Sequence, residues 1–276
     1  LYSKEIAENL RYMREELFPP MVEALHKLGG IPIKPILAES MQMGDENHTR
    51  QTACDYIYDR LMLPALFELD RPKKEIMKTV RYIVDTPRFF HCYGQAAARA
   101  ALVAADGTEY STMVTAVCGN GVEFGIKIAS LPGQWFTAPA PMMKGRYTSS
   151  EFTEKDQLPW MGDSCVVECY GMGGFAAAAS PIVCNLRGMT LKESIGQTKE
   201  MYRITMEKNY NFPIPNLDFD FLPVGIDIRK VLKEGVCPAI HGGMFNRVGG
   251  LIGAGMARVP MQCFEKALVA FGEKYL

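Results

Sequence analysis

The sequence predicts an α+β fold: a mixed or antiparallel sheet core with a helical subdomain inserted near the N-terminal third. Two observations carry this. Between residues 38 and 106, three helical patterns follow one another with no strand pattern between them. From Gly107 onward, alternating stretches mix with helical ones without the strict strand–helix alternation of a doubly wound sheet. The expected organisation is an α+β core over 1–37 and 107–276 with a helical subdomain over 38–106.

Residues Ser3 to about Lys27 are rich in helix formers and stop at Gly29-Gly30, and Pro19-Pro20 is expected to split them into two helices. Gly30 to Ile36 carries Pro32 and Pro35 and reads as a short strand or linker. Thr49 to about Leu69 places Ala53, Ile57, Leu61 and Leu66 at near-helical spacing. A second helix opens at Pro72, and a third at the Thr86-Pro87 pair, running through Ala96 to Ala104.

Val122, Phe124, Ile126 and Ile128 then alternate with polar or small residues, the period of a half-buried strand. With Thr112 to Cys118 and the Gly119-Asn120-Gly121 turn they form an antiparallel hairpin. Residues 132–160 are rich in loop formers, and a connection this long covers a site or serves one. Ser164 to Cys169 reads as a short buried strand, followed by Gly171-Met172-Gly173-Gly174 and a small-residue helix through Ala176 to Ala179. Thr190-x-x-Glu193 is a capping box opening a helix to about Lys208. Asp218 to Phe221 is extended, Ile226 to Glu234 helical with Gly235 as its stop, and Val236 to Ile240 a strand ending at His241-Gly242-Gly243. A glycine-dense stretch, Gly249 to Gly255, leads to a closing helix from Pro260.

The chain is long enough to bury a core without disulfides or metals. At 48% hydrophobic and 22% charged residues it has the composition of a globular protein, and its net charge of −1 points to neither nucleic acid nor an anionic membrane. No window approaches the roughly 18 to 20 apolar residues of a membrane span. The eight cysteines lack zinc-finger spacing, the nearest pair being Cys165 and Cys169. They read as small buried hydrophobes in a reducing, cytoplasmic compartment, with no structural zinc. The chain opens on Leu1 without a secretory signal, so an upstream segment is expected.

Polar residues concentrate at two Met-Gly-Asp segments. Met43-Gly44-Asp45-Glu46-Asn47-His48-Thr49-Arg50 precedes a helix, where carboxylates cap and complement the dipole. Capping does not explain His48 and Arg50, which together suit a general base and an anion-binding cation. Asp45 and His48 alone are too few for a metal site. Met161-Gly162-Asp163 leads to Ser164 and Glu168, which alternation places on one face with Asp163 on the other. A serine nucleophile needs a base, and the sequence does not say whether His48, His91 or His241 supplies it; no G-x-S-x-G elbow is present.

Gly171-x-Gly173-x-x-Ala176 fits a dinucleotide fingerprint formally but lacks the acidic residue beyond it. That leaves an anion loop or close helix packing. Asn120-Gly121-x-Glu123 reads first as a hairpin turn, Asp227 and Arg229 as a helix start, and His91 as a satisfied core histidine. His241-Gly242-Gly243 offers an imidazole beside free amides.

Taken in order, several segments resemble one family. They are Gly29-Gly30-Ile31, the Met43 to Arg50 motif, Asn120-Gly121-x-Glu123-Phe124-Gly125-Ile126, Trp135-Phe136-Thr137-Ala138-Pro139, and Met161-Gly162-Asp163-Ser164 with Glu168. They continue with Gly171-x-Gly173-Gly174, Gly225-Ile226-Asp227-x-Arg229-Lys230, Ile252-Gly253-Ala254-Gly255 and Pro260-Met261-x-Cys263-Phe264. Over nearly the whole chain this is similar to the YlbE/AllG-like family, found beside FdrA-like proteins. The resemblance implies an α+β fold with a helical insertion and a subunit of oxamate carbamoyltransferase, with FdrA-like and AllH-like partners. That enzyme splits oxalurate with phosphate into oxamate and carbamoyl phosphate in anaerobic allantoin breakdown. Many relatives carry an extra N-terminal region.

Phosphorolysis of this kind needs two anions held close and a proton delivered to the leaving nitrogen. The expected catalytic residues are His48, oriented by Asp45 or Asp163. Anion binding is assigned to Arg50 and the Gly171, Gly173 and Gly174 amides, with Glu46, Asn120, Glu123, Ser164, Glu168, Arg229 and His241 around the substrate. No cofactor or metal is expected, and a homo-oligomer is allowed. The alternatives are a scaffold subunit without chemistry of its own and a metal-dependent amidohydrolase using Asp45 and His48. The two Met-Gly-Asp segments are expected to meet across one cleft.

Overall fold

A computed structural model describes residues 3–276. Helix α1 (Lys4–Tyr12) is capped by the Ser3 hydroxyl, which accepts from the Ile6 amide at 3.2 Å. A π-helical turn, Met13–Leu17, leads directly into α2 (Phe18–Leu28). The two helices therefore meet ahead of Pro19-Pro20, which sit in the first turn of α2, where a missing N–H costs little.

The strand or linker expected over Gly30 to Ile36 gives way to α3 (Ile33–Gln42), with Pro35 again in a first turn. Helices α4 (Thr52–Phe67), α5 (Lys73–Asp85) and α6 (His91–Val103) follow. Helix α6 starts later than Thr86-Pro87 suggests. Asp55 accepts the Arg88 and Phe90 amides at 2.8 and 2.9 Å and holds that stretch as a turn.

Strands β1 (Val114–Asn120) and β2 (Glu123–Ile128) form the expected antiparallel hairpin. The Asn120 side-chain oxygen closes its turn by accepting the Val122 and Glu123 amides at 2.9 and 2.8 Å. The stretch 132–160 is not all loop: it contributes β3 (Phe136–Pro139) and β4 (Lys144–Tyr147), followed by β5 (Met161–Gly162).

Ser164 to Cys169 is not a strand; it holds one helical turn, α7 (Val166–Cys169). A 3₁₀ helix, Gly173–Ala179, and α8 (Pro181–Leu186) come next. Helix α9 (Leu191–Met201) opens on the capping box but stops well before Lys208, because the chain turns into β6 (Thr205–Ile214). Then follow β7 (Asp220–Ile226), α10 (Ile228–Glu234) ended by left-handed Gly235, β8 (Ala239–Phe245), β9 (Leu251–Arg258) and α11 (Met261–Tyr275). The glycine-dense stretch after Gly249 is thus mostly strand, and His241 lies inside β8 and not after it.

The strands make three antiparallel sheets, ordered β3-β2-β1-β5, β4-β9-β8 and β6-β7. One continuous cluster of buried apolar side chains links the helices to all of them, from Leu17 and Tyr58 through Phe124 and Phe175 to Phe264. Trp160 fixes the spacing between the first two sheets. A Cβ at Gly119 of β1 would stand 2.6 Å from its indole, and one at Gly242 of β8 would stand 2.7 Å away. Among the described residues no helix is long and apolar enough to cross a membrane.

Candidate functional site

The loop between α3 and α4 is shaped from inside by Asn47 and Glu46. Asn47 adopts a φ of 62°, which asparagine tolerates better than most residues, and its side chain is tied to Ser40 Oγ at 2.9 Å and to the Leu37 carbonyl at 3.0 Å. Glu46 Oε1 accepts the amides of His48 and Arg50 at 3.2 and 2.8 Å, and that of Thr49 as well. A carboxylate gathering three successive N–H groups fixes the backbone from which the His48 side chain leaves the loop.

That side chain reaches the second Met-Gly-Asp segment. His48 Nε2 lies 2.9 Å from Ser164 Oγ, and Nδ1 lies 2.8 Å from Glu168 Oε1. Glu168 Oε1 also accepts the amides of Gly174 and His241, at 3.1 and 2.8 Å. Three N–H donors therefore converge on one buried oxygen, which fixes it as the acceptor and sets His48 as the Nδ1–H tautomer. The Nε2 lone pair is left to accept the Ser164 proton. Burial pushes the Glu168 carboxyl above the usual carboxylate range, opposed by His48 and the two amides.

His48 and Ser164 line a cleft of about 370 Å³, with Glu168 buried behind them; Thr49, Arg88, His91, Trp160 and Gly243 line it too. The His48 and His91 rings stack with centroids 6.0 Å apart. Burial, then the neighbouring His48, lowers the His91 pKa to about 4, so it is neutral near pH 7. Gln51 and Gln95 hold its two nitrogens at 2.7 and 2.9 Å. His91 is contacted at both nitrogens inside the fold and also forms part of the cleft wall.

Behind Thr49 lies a buried group that the sequence reading missed. Arg187, 7% exposed, bonds the Thr49 hydroxyl and sits against His241 Nδ1, which is also 3.1 Å from Glu46 Oε2. Gln197 reaches His241 Nε2 at 3.0 Å. Burial lowers Arg187 to about 10, so it stays a cation. Burial and then the Arg187 charge lower His241 to about 3, so it is neutral. Burial raises the Glu46 carboxyl, but the His241 hydrogen bond and the Arg187 charge outweigh it and hold the group below its usual range. His241 is therefore a neutral imidazole contacted at Nδ1 by both Glu46 and Arg187, and the opposite charge acting on Glu46 is that of Arg187. Nothing in the sequence around Asn185-Leu186-Arg187-Gly188 marks this arginine; it becomes visible only when α8 is placed beneath the loop.

Several other expected site residues lie elsewhere. Both nitrogens of His48 are occupied by Ser164 and Glu168, so neither Asp45 nor Asp163 orients it. Asp45 caps α4 from a distance, accepting the Ala53 and Cys54 amides at 2.8 and 3.0 Å, and its other oxygen pairs with Arg50 Nε at 3.1 Å. Arg50 is thus held by Asp45 and does not face the cleft. Burial pushes the Asp45 carboxyl up to about 6 against the pull of those amides.

Asp163 is exposed and lines a separate cavity of about 430 Å³ with Arg99, Cys118 and Trp135. The Gly171, Gly173 and Gly174 amides are used inside the protein, bonding Glu168 O, Glu46 O and Glu168 Oε1. These glycines permit close approach instead of cradling an anion. A Cβ at Gly174 would stand 2.2 Å from the Ala239 carbonyl oxygen. Asn120 and Glu123 belong to the hairpin turn, and Arg229 pairs with Asp227, the cap of α10, at 3.0 Å. None of these three lines the cleft.

Among the described residues no group of three His, Cys, Asp or Glu side chains converges as a metal cluster. The arrangement can instead move a proton between a hydroxyl, an imidazole and a bound anion.

Comparison with known proteins points the same way for family and fold. The model of the family described as oxamate carbamoyltransferase subunit AllG matches residues 1–164. The chain is 34% identical over 276 residues to the oxamate carbamoyltransferase subunit AllG of Escherichia coli K12, and 35% identical over 274 residues to the uncharacterized protein YahG of the same strain. Each alignment takes in 99% of this chain but only 66% of AllG and 58% of YahG. A crystal structure of a conserved protein of unknown function from Enterococcus faecalis V583 superposes with a TM-score of 0.95 at 34% identity, covering 98% of this chain and 65% of that one.

Proposed function

Because the chain belongs to the AllG family, we propose that it is a subunit of a carbamoyltransferase acting on oxalurate and phosphate, and that its own cleft carries the proton transfer. The observation that carries this reading is the Ser164–His48–Glu168 relay, whose first two members line the cleft. Splitting oxalurate breaks a C–N bond whose departing nitrogen is a poor leaving group until protonated, and His48 Nε2 is the group placed to handle that proton. Glu168 holds the ring so that only Nε2 faces the cleft. Arg88 at the rim supplies positive charge for the phosphate or the oxamate carboxylate, the role first expected of Arg50. A cleft of about 370 Å³ suits two small anions side by side.

The proposed partners are FdrA-like and AllH-like subunits, consistent with the family's description as a subunit. The test is turnover of oxalurate in the assembled complex. His48→Ala and Glu168→Gln should each lower it on the order of a hundredfold or more, while Asp163→Asn leaves it near wild type. Normal rates from correctly folded His48→Ala protein would place the chemistry on a partner subunit and make this chain a scaffold.

A further inference from the structure

We propose that Ser164 is a covalent nucleophile: it takes the carbamoyl group as an O-carbamoyl serine, which phosphate then discharges. The carbamoyl donor is taken from the carbamoyltransferase reading, but the nucleophile rests on geometry alone. Ser164 Oγ is 2.9 Å from His48 Nε2, and the opposite ring nitrogen is 2.8 Å from a fully buried carboxylate. Hydroxyl, imidazole and carboxylate in this order are the parts of an activated serine. An imidazole that only protonated a leaving group would have no use for a hydroxyl seated on its Nε2 inside the cleft.

Two features around Ser164 support the assignment. Its backbone is fixed: the Ser164 carbonyl accepts the Val167 amide at 3.2 Å, and the Asp163 carbonyl accepts that of Val166 at 3.0 Å. An oxyanion donor is also at hand. Among the described strands β8 pairs with β9 alone, and on its opposite edge the Phe245 carbonyl accepts the Leu158 amide at 2.8 Å. His241 turns its N–H away from β9, to Glu168. Gly243, two residues further on, turns its N–H to the same side by strand alternation, and it lines the same cleft as Ser164.

In the first half-reaction Ser164 Oγ bonds the carbamoyl carbon as its proton passes to His48 Nε2. The C–N bond then breaks, and that proton goes to the departing nitrogen, releasing oxamate. In the second, a phosphate oxygen bonds the same carbon and its proton passes to Nε2. The Oγ–C bond breaks and Oγ takes the proton back, releasing carbamoyl phosphate. No electrons change hands between molecules, and phosphate is the sole co-reactant.

The test uses the assembled complex with the full-length chain. Incubated with oxalurate and isotopically labelled oxamate in the absence of phosphate, it should pass label into oxalurate, and a carbamoyl adduct should be found on the Ser164 peptide after acid quench. Ser164→Ala should abolish both. Exchange that requires phosphate, together with wild-type turnover by Ser164→Ala, would overturn the covalent step and leave the carbamoyltransferase reading standing.

A second probe, 4-nitrophenyl carbamate, separates the two ideas in the other direction. A burst of nitrophenolate with an adduct on Ser164, from a complex that does not turn over oxalurate, supports the nucleophile and removes the proposed substrate. Equal nitrophenolate release by wild type and Ser164→Ala, with no adduct, overturns the nucleophile.

Discussion

Gly173 has a φ of +59°, and a Cβ built on it would stand 2.2 Å from Glu168 Oε1 and 3.0 Å from His48 Cβ. The glycine is required on both counts: a left-handed backbone and a carboxylate pressed against it. Gly173→Ala should therefore cost about 1–3 kcal/mol of stability and disturb the relay at the same time. Urea unfolding and oxalurate turnover measured together check this, and a variant stable and active like wild type would refute it. The same residue shows what a sequence conceals. A glycine in Gly171-Met172-Gly173-Gly174 looks alike whether it admits a phosphate or a neighbouring side chain. Here it admits Glu168. Strand alternation puts Ser164 and Glu168 on one face, and the helical turn found there keeps them together. A separation of four residues puts two side chains on one face of a strand and also on one face of a helical turn. Asp45 went the other way: its local reading as a cap was sufficient, although the helix it caps begins several residues further on.

Among the elements, those announced by local chemistry were legible and those defined by distant partners were not. The Thr190 capping box forms as its sequence says, with Thr190 Oγ1 accepting the Glu193 amide at 3.2 Å and Glu193 Oε2 accepting the Thr190 amide at 2.6 Å. Because the interaction is local and exposed, Thr190→Ala should cost about 1 kcal/mol and leave the cleft untouched. A urea midpoint lowered without loss of turnover is the expected result, and no change in midpoint would mean the box contributes nothing. Strands β4 and β9 were hidden by the same glycines that allow them to pair. A Cβ at Gly145 would stand 2.1 Å from the Ala254 carbonyl oxygen, and one at Gly253 would stand 2.4 Å from that of Arg146. Glycine density, which reads as loop in one dimension, here marks strands pressed close together. The end of α9 is hidden for a related reason: β6 is defined by its pairing with β7, and nothing from Thr205 to Lys208 forbids a helix.

Across the whole molecule, the cleft is assembled from segments around residues 48, 88, 164 and 242, so its groups exist as a site only in the folded chain. The titrating groups within and behind it consequently link stability to pH. His91 and His241 are held near 4 and 3 against a usual 6.5. The unfolded chain therefore binds protons there that the folded one refuses, and stability present above pH 6.5 is lost as pH falls toward those values. Asp45 opposes them. Its carboxyl is raised to about 6 from 3.8, so its contribution is present below 3.8 and is lost as pH rises through 6. Each of these groups amounts to roughly 3 kcal/mol between pH 6.5 and 4 at one pKa unit per 1.36 kcal/mol. Glu168, whose carboxyl burial also raises, acts in the same direction as Asp45 and against the two histidines. Asp45→Asn keeps an oxygen for the α4 amides but removes one opposing group, so its stability should fall more steeply than wild type on acidification between pH 6.5 and 4. Denaturant midpoints at three pH values in that range decide the matter. A variant whose pH dependence is no steeper than wild type would mean that Asp45 is ionised in the folded protein well below pH 6, with Arg50 and not the proton balancing its charge.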